Sequence, residues 1–264
     1  MPSPLGGAKL GGFLRVASQF VWQQPPHALQ WALLLYYITD RKQFPGDESA
    51  RRAALLEKIA EATRCGVDYI QLREKDLSGR ELEALACDAV RAVRQAAPGK
   101  SATRILINSR TDIAIACAAD GVHLTSTDVD PGDVRSVWRC GAGAPAREGA
   151  GSSANSGQAP DREKSAPVVA VSCHSKEDVA HAASPGADFV VFAPVFEKRG
   201  APDVRPVGLE TLRDICRQPI PVLALGGITL DNAGQCIAAG AAGIAAIRLF
   251  QENDIADVVR RLRG

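Results

Sequence analysis

Residues 33–73, LLLYYITDRKQFPGDESARRAALLEKIAEATRCGVDYIQLR, hold the unit that decides the fold. Leu33–Thr39 is a short, almost wholly apolar run, as expected of a strand covered on both faces. A helical segment follows near residues 49–64, and Gly66 stands where a helix commonly ends in a left-handed residue. Asp68–Arg73 then reads as a second strand. Strand, helix and strand joined by short connections form a βαβ unit, whose two strands run parallel.

The alternation repeats along the chain. Further strands are expected at Arg104–Asn108, Gly121–Leu124, Val168–Cys173, Asp188–Phe192, Val222–Leu225 and Gly243–Ile247. Helices are expected near 78–96, 110–119, 131–138, 175–184, 208–217, 229–239 and 253–263, with Ser78 and Glu81 spaced as a capping box. Eight such units make a closed (β/α)8 TIM barrel over residues 33–264 the economical architecture. An open doubly wound sheet competes, but it needs a reversal of strand order of which the sequence carries no sign. Residues 1–32, with Pro2, Pro4 and Pro25-Pro26, read as a loosely attached extension. Residues 141–166, rich in Gly, Ala, Ser and Pro, read as a disordered insert between the fourth helix and the fifth strand.

Composition narrows the function. The 264 residues carry 31 basic and 30 acidic side chains, a net charge of +1 that argues against nucleic-acid or membrane-surface binding. Cys65, Cys87, Cys117, Cys140, Cys173, Cys216 and Cys236 form no CxxC pair and read as buried reduced thiols. No apolar run approaches the roughly 18 residues of a membrane span. No basic start precedes an apolar leader, so a cytoplasmic location is expected. The oligomeric state is left open, a homo-oligomer included.

In a parallel barrel the chemistry belongs at the C-terminal ends of the strands. Strand one ends in Thr39-Asp40-Arg41. Strand two carries Gln71, Arg73 and Lys75 at alternate positions, hence on one face. Two inward cations are costly unless a ligand or an internal network with Glu74 or Asp40 satisfies them; convergence with other strand ends favours a ligand. Strand three ends in Asn108-Ser109-Arg110, strand four carries His123 before Thr125–Asp128, and strand five ends in Ser172-Cys173-His174. His174, at a strand end among polar groups, is the best candidate for proton transfer. His27 and His181 have no such setting, and Cys173 reads as a core-facing thiol. After strand seven, Gly226-Gly227 opens a helix and can bring backbone amides to an anion, or can be simply a tight turn. Arg248 follows strand eight, where barrels often hold a phosphate.

Taken together, Tyr37-Ile-Thr-Asp-Arg41, Gln71-Leu-Arg-Glu-Lys75, Asn108, Asp120-Gly-Val-His-Leu124, Val171-Ser172, Pro194-Val-Phe196, Gly208-Leu209, Ala224-Leu-Gly-Gly-Ile228 and Gly240-Ala-Ala-Gly243 resemble the thiamine phosphate synthase and thiazole tautomerase (TenI) family. The resemblance implies a role in thiamine biosynthesis on a (β/α)8 barrel. In its synthases, hydroxymethylpyrimidine diphosphate ionises and thiazole phosphate attacks the resulting cation. Gln71, Arg73, Lys75, Asn108 and Ser172 match substrate-binding positions, the first four for the pyrimidine diphosphate. Gly226, Gly227 and Arg248 fall where the thiazole phosphate is held.

The departures weigh on the reaction. Where synthases have an Asp that binds magnesium after strand three, this chain has Ser109, while the second ligand is retained as Asp128. The Thr-x-Thr-Lys run expected after strand six reads Lys198-Arg199-Gly200-Ala201, with the cations out of register, and the family serine near strand eight is Arg248. With the metal and diphosphate groups depleted and the phosphate grip kept, the expectation leans to a tautomerase. That enzyme would move a proton through His174 and need no cofactor. The alternative is a Mg2+-dependent synthase, favoured by the intact Gln71-x-Arg73-x-Lys75 run. A third reading is a non-catalytic binder of thiamine precursors.

Overall fold

A computed structural model describes residues 33–97, 102–141, 166–184, 186–200 and 203–264. The extension at 1–32 and nearly all of the insert, residues 142–165, lie outside the described residues.

The chain alternates β1 (Leu34–Ile38), α1 (Glu48–Arg64), β2 (Tyr69–Leu72), α2 (Gly79–Ala96), β3 (Arg104–Asn108), α3 (Thr111–Ala116), β4 (Gly121–Thr125) and α4 (Pro131–Gly141). The second half runs β5 (Val168–Cys173), α5 (Lys176–Ala183), β6 (Phe189–Phe192), α6 (Gly208–Ile215), β7 (Val222–Leu225), α7 (Ala233–Ala238), β8 (Gly243–Ala246), α8 (Arg248–Gln251) and α9 (Ile255–Arg263). The strands are parallel and in sequence order, and β1 pairs β8 through Leu34 and Gly243 to close the barrel. No reversal of strand order exists, so the open sheet is excluded.

Period-two alternation divides the strands into two cores. Tyr36, Ile38, Leu106, Ala170, Phe189, Val191, Leu223 and Ala245 fill the barrel interior. Their neighbours in sequence, such as Leu35, Tyr37, Ile70, Ile107, Val169, Cys173 and Phe192, face the helices in a second cluster. Burial of both faces is why each strand reads as a continuous apolar run.

Aspartates at the starts of alternate strands tie the barrel together. Asp68, Asp120 and Asp188 precede β2, β4 and β6, and accept the backbone N–H groups of Leu35, Ile105 and Val169 on the preceding strands. Each bond satisfies a donor at the foot of a strand. Burial raises the Asp68 carboxyl above its ordinary value, against the pull of the Leu35 N–H and the partnered Arg263.

Some expected boundaries move. The helix after β7 begins at Ala233 rather than 229, because Asn232 competes with helical bonding: its Oδ1 accepts the Thr229 N–H at 2.8 Å and its Nδ2 donates to the Gly227 carbonyl at 2.9 Å. A short separate helix, α8, precedes α9. All seven cysteines are free, but only Cys117, Cys173 and Cys236 are buried; Cys65, Cys87 and Cys216 are half-buried and Cys140 is exposed. Among the described residues no helix is long and apolar enough to cross a membrane.

Candidate active site

A polar chain links the C-terminal ends of β2, β3 and β4. Gln71, buried at the end of β2, donates from Nε2 to Asn108 Oδ1 at 2.8 Å. Asn108 Nδ2 donates to Ser109 Oγ at 3.2 Å, and the Ser109 hydroxyl donates to Asp128 Oδ2 at 2.7 Å. The same Asp128 oxygen accepts the Thr125 N–H at 2.7 Å. Ser109 adopts φ +57°, a left-handed conformation that turns the chain sharply after β3.

β2 ends at Leu72, so Arg73 and Lys75 lie past it in the following loop rather than on one strand face with Gln71; Arg73 is half-buried, Lys75 exposed, and neither finds a carboxylate among the described residues. The acids that could have paired with them are taken elsewhere. Glu74 accepts from Thr39 Oγ1 at 2.7 Å and from Arg41 Nη1 at 3.1 Å. Asp40 caps the turn at 41–43 through the Lys42 N–H and the Gln43 amide. Arg41 itself is 3% exposed and also binds Asp76 and Glu48. These bonds, Asp76 foremost, raise the Arg41 guanidinium above its usual range and hold Asp76 well below the carboxylate range. The Arg73 N–H donates to Thr39 Oγ1 at 3.0 Å. A buried ion network therefore exists, but it braces the backbone under Arg73 and leaves its guanidinium without a partner acid.

Lys198 joins this group from the β6–α6 loop. A Cβ added to Gly226 would lie 3.1 Å from Lys198 Cε, which places the lysine stem over the Gly226-Gly227 turn. Burial, and then the neighbouring Arg73 guanidinium, hold its ammonium below the ordinary value. In linear order Lys198 is out of register with the family's diphosphate run; the folded loop brings it within reach of the Arg73 charge.

The Gly226-Gly227 pair has a packing cause. Both residues have positive φ, +102° and +65°, and a Cβ on Gly227 would lie 2.3 Å from the Glu197 carbonyl oxygen. The β6–α6 loop crosses directly over the turn, with the Phe196 N–H donating to the Gly226 carbonyl at 3.0 Å. No helix opens at this turn, contrary to expectation, because α7 begins six residues after Gly227. Arg248 lies on the same rim, where Nη1 donates to the Arg199 carbonyl at 2.9 Å and Nε is 3.7 Å from Glu252. It lines a cavity of about 320 Å³ with Gln43, Phe44, Arg199, Gln251 and Glu252.

On β5 the alternation separates Ser172 from Cys173. Cys173 faces the helices, fully buried, and burial pushes its thiol up to about 12, so it is no nucleophile. Ser172 faces the interior, 2.6 Å from His123 Nε2. His174 is exposed at the rim, where its Nδ1–H donates to the Ala193 carbonyl at 2.8 Å and its backbone N–H to Asp178. That bond fixes the tautomer and leaves Nε2 with its lone pair. His123 stands among the strand-end polar groups as expected, without a role assigned to it by sequence; Tyr36 carries no such signal beyond its parity with Leu34 and Ile38, which turns it inward.

A magnesium ion is implied by the family resemblance. Among the described residues no cluster of three His, Cys, Asp or Glu side chains exists that could hold a metal. Asp128 is the carboxylate on which the polar chain from Gln71 ends, with Oδ2 already engaged by Ser109 and Thr125. Magnesium is commonly bound by one or two carboxylates together with substrate phosphates, and Asp128 fits the lower limit of that arrangement.

Comparison with known proteins identifies the family. The profile of the family described as "Thiamine monophosphate synthase" matches residues 35–144 and 151–250. The chain is 37% identical over 219 residues to an Aquifex aeolicus (strain VF5) protein named as a candidate thiamine-phosphate synthase 2, covering 83% of this chain and 97% of that protein. It is 34% identical over 232 residues to a thiamine-phosphate synthase of Methanoculleus marisnigri (strain ATCC 35101 / DSM 1498 / JR1), covering 87% and 93%. The solved structure of a Pyrococcus furiosus thiamine phosphate pyrophosphorylase superposes with a TM-score of 0.64 at 28% identity, covering 89% of this chain and 96% of that one. With its closed barrel and its polar strand ends, the chain belongs to the thiamine monophosphate synthase family.

Proposed function

We propose that the protein is a thiamine phosphate synthase, joining hydroxymethylpyrimidine diphosphate to thiazole phosphate with release of diphosphate. The observation that carries this reading is a pair of half-buried cations at the barrel mouth: Lys198, packed over the Gly226 turn, lies within reach of the Arg73 charge, and neither has an acid partner among the described residues. Uncompensated like charges in a half-buried site are costly and call for a polyanion. A tautomerase acting on one monophosphate does not need so much charge. The relatives described above carry synthase names, which shifts the reading away from the tautomerase expected from the depleted diphosphate run.

In this reaction the methylene C–O bond of the pyrimidine breaks, and its electron pair leaves with the diphosphate. The thiazole nitrogen lone pair then forms the new C–N bond. Arg73 and Lys198 stabilise the charge that grows on the leaving oxygen, the largest kind of electrostatic contribution a site can make. Gln71, Asn108 and Ser172 orient the pyrimidine half. The Gly226-Gly227 turn and Arg248 receive the thiazole phosphate. Asp128 would hold a magnesium ion, which supplies further neutralisation of the diphosphate.

Calorimetric titration with inorganic diphosphate tests the anion site. Lys198→Ala and Arg73→Ala should each weaken binding by about tenfold or more, as loss of a charge-assisted bond of about 1.5–3 kcal/mol requires. Affinities unchanged from the wild type would remove the basis of the proposal.

One observation favours a second reading. The Nδ1–H of His174 is committed to Ala193, which leaves Nε2 as the ring nitrogen available for thiazole tautomerisation. His174→Ala should then abolish that conversion while thiazole phosphate still binds.

A further inference from the structure

Tyr36 and His123 are buried in the barrel interior at 0% and 2% exposure and touch no bulk solvent. Tyr36 Oη lies 2.9 Å from His123 Nδ1, and His123 Nε2 lies 2.6 Å from Ser172 Oγ. Tyr36 is packed edge-on against Phe189, at 5.6 Å and 88°, and against Tyr69, at 5.9 Å and 74°. The phenol is thus held aimed at the imidazole.

Proton accounting gives this row a direction. The Tyr36 hydroxyl has one proton, and His123 is its one hydrogen-bond partner among the described residues. A buried phenol without an acceptor is destabilising, so Tyr36 donates and Nδ1 accepts. Burial, followed by the Arg73 charge, drops the imidazole to about 3, so His123 is neutral. With Nδ1 bare, the ring proton sits on Nε2 and is donated to Ser172 Oγ. The serine oxygen is then an acceptor inward, and its own proton is directed outward.

We propose that Tyr36 and His123 are positioning residues that make Ser172 an obligate hydrogen-bond donor to the pyrimidine diphosphate at the barrel mouth. Only the identity of the ligand rests on the synthase reading; the direction of the row does not. The opposite tautomer, with Nδ1 protonated, would draw the serine proton inward to Nε2 and leave the ligand facing lone pairs. Removing the phenol hydroxyl releases that choice.

Nitrogen-15 NMR of the imidazole in the full chain reads the tautomer without any turnover. The wild type should show a protonated Nε2 and a pyridine-like Nδ1 on His123, and Tyr36→Phe should mix or invert them. A protonated Nδ1 in the wild type would overturn the proposal, even if the variant fails to fold. Titration with hydroxymethylpyrimidine diphosphate should show binding weakened about tenfold in Tyr36→Phe and in Ser172→Ala, with no further loss in the double variant. Additive losses would mean that Tyr36 acts on the ligand by another route, against the proposal. A parallel titration with inorganic diphosphate locates the acceptor: a matching loss assigns it to the phosphate oxygens, an unchanged affinity to the pyrimidine ring. Failure of the condensation assay with the NMR result intact would strike the synthase reading and leave the row standing.

Discussion

Ser109 shows how much of the site turns on single side chains. It occupies the left-handed position after β3 and spends its proton on Asp128, where the family resemblance calls for a second carboxylate. Aspartate tolerates this backbone conformation as well as serine does. Ser109→Asp should therefore fold normally and lower the Mg2+ concentration for half-maximal condensation by about tenfold or more, read from a metal titration of the rate. An unchanged requirement would show that Asp128 is not where the metal is held. His123 carries a separate, pH-linked signature. Its folded value, about 3, lies below its ordinary 6.5 because burial and Arg73 disfavour the charged ring. Between those values the unfolded chain takes up a proton that the folded chain refuses, so stability falls as pH drops from about 6.5 towards 3 and is fully present above. Urea unfolding of the wild type should show this slope, and His123→Gln should make it shallower by the one proton that His123 contributes.

At the scale of elements, the segment after β2 is rigid for a stated reason. Thr39, Arg41 and Glu74 lock the ends of β1 and β2 together beneath Arg73. Arg41→Met leaves Glu74 buried without its cation and should cost about 3–5 kcal/mol in denaturant unfolding, with partial recovery in the Arg41→Met/Glu74→Gln double variant. At the opposite end of the barrel, Asp188→Ala unties the Val169 N–H and the Arg135 guanidinium. It should destabilise by about 1.5–3 kcal/mol while leaving diphosphate affinity intact. A loss of affinity without a loss of stability would contradict this division between a bracing face and a binding face.

For the molecule as a whole, the parts legible in sequence were those governed by local pattern. Alternating βα units placed eight strands nearly to the residue, because a strand buried on both faces is apolar throughout. β3, β5 and β7 fall where expected. The start of α7 was not legible, since the Asn232 side chain overrides a pattern that reads as helical from Thr229. Rim residues were legible by parity: Gln71, Asn108, Ser172 and His174 all stand at strand ends. Long-range placement was hidden. Nothing in the linear order brings Lys198 to Arg73, and register comparison with the family pointed the other way. Pairing of Glu74 with Arg41 rather than Arg73 likewise depends on how β1 and β2 meet. The glycine pair fits either a phosphate turn or a plain tight turn in sequence, and its packing against Glu197 appears only in three dimensions.

The direct measurement of the reaction is thiamine phosphate formation by the purified full chain, given both phosphorylated halves, with and without Mg2+ and beside a thiazole tautomerisation assay. A synthase yields thiamine phosphate and diphosphate in equal amounts, accelerated by Mg2+ and lost in Arg73→Ala. Tautomerisation without any condensation at high enzyme concentration would contradict the synthase reading.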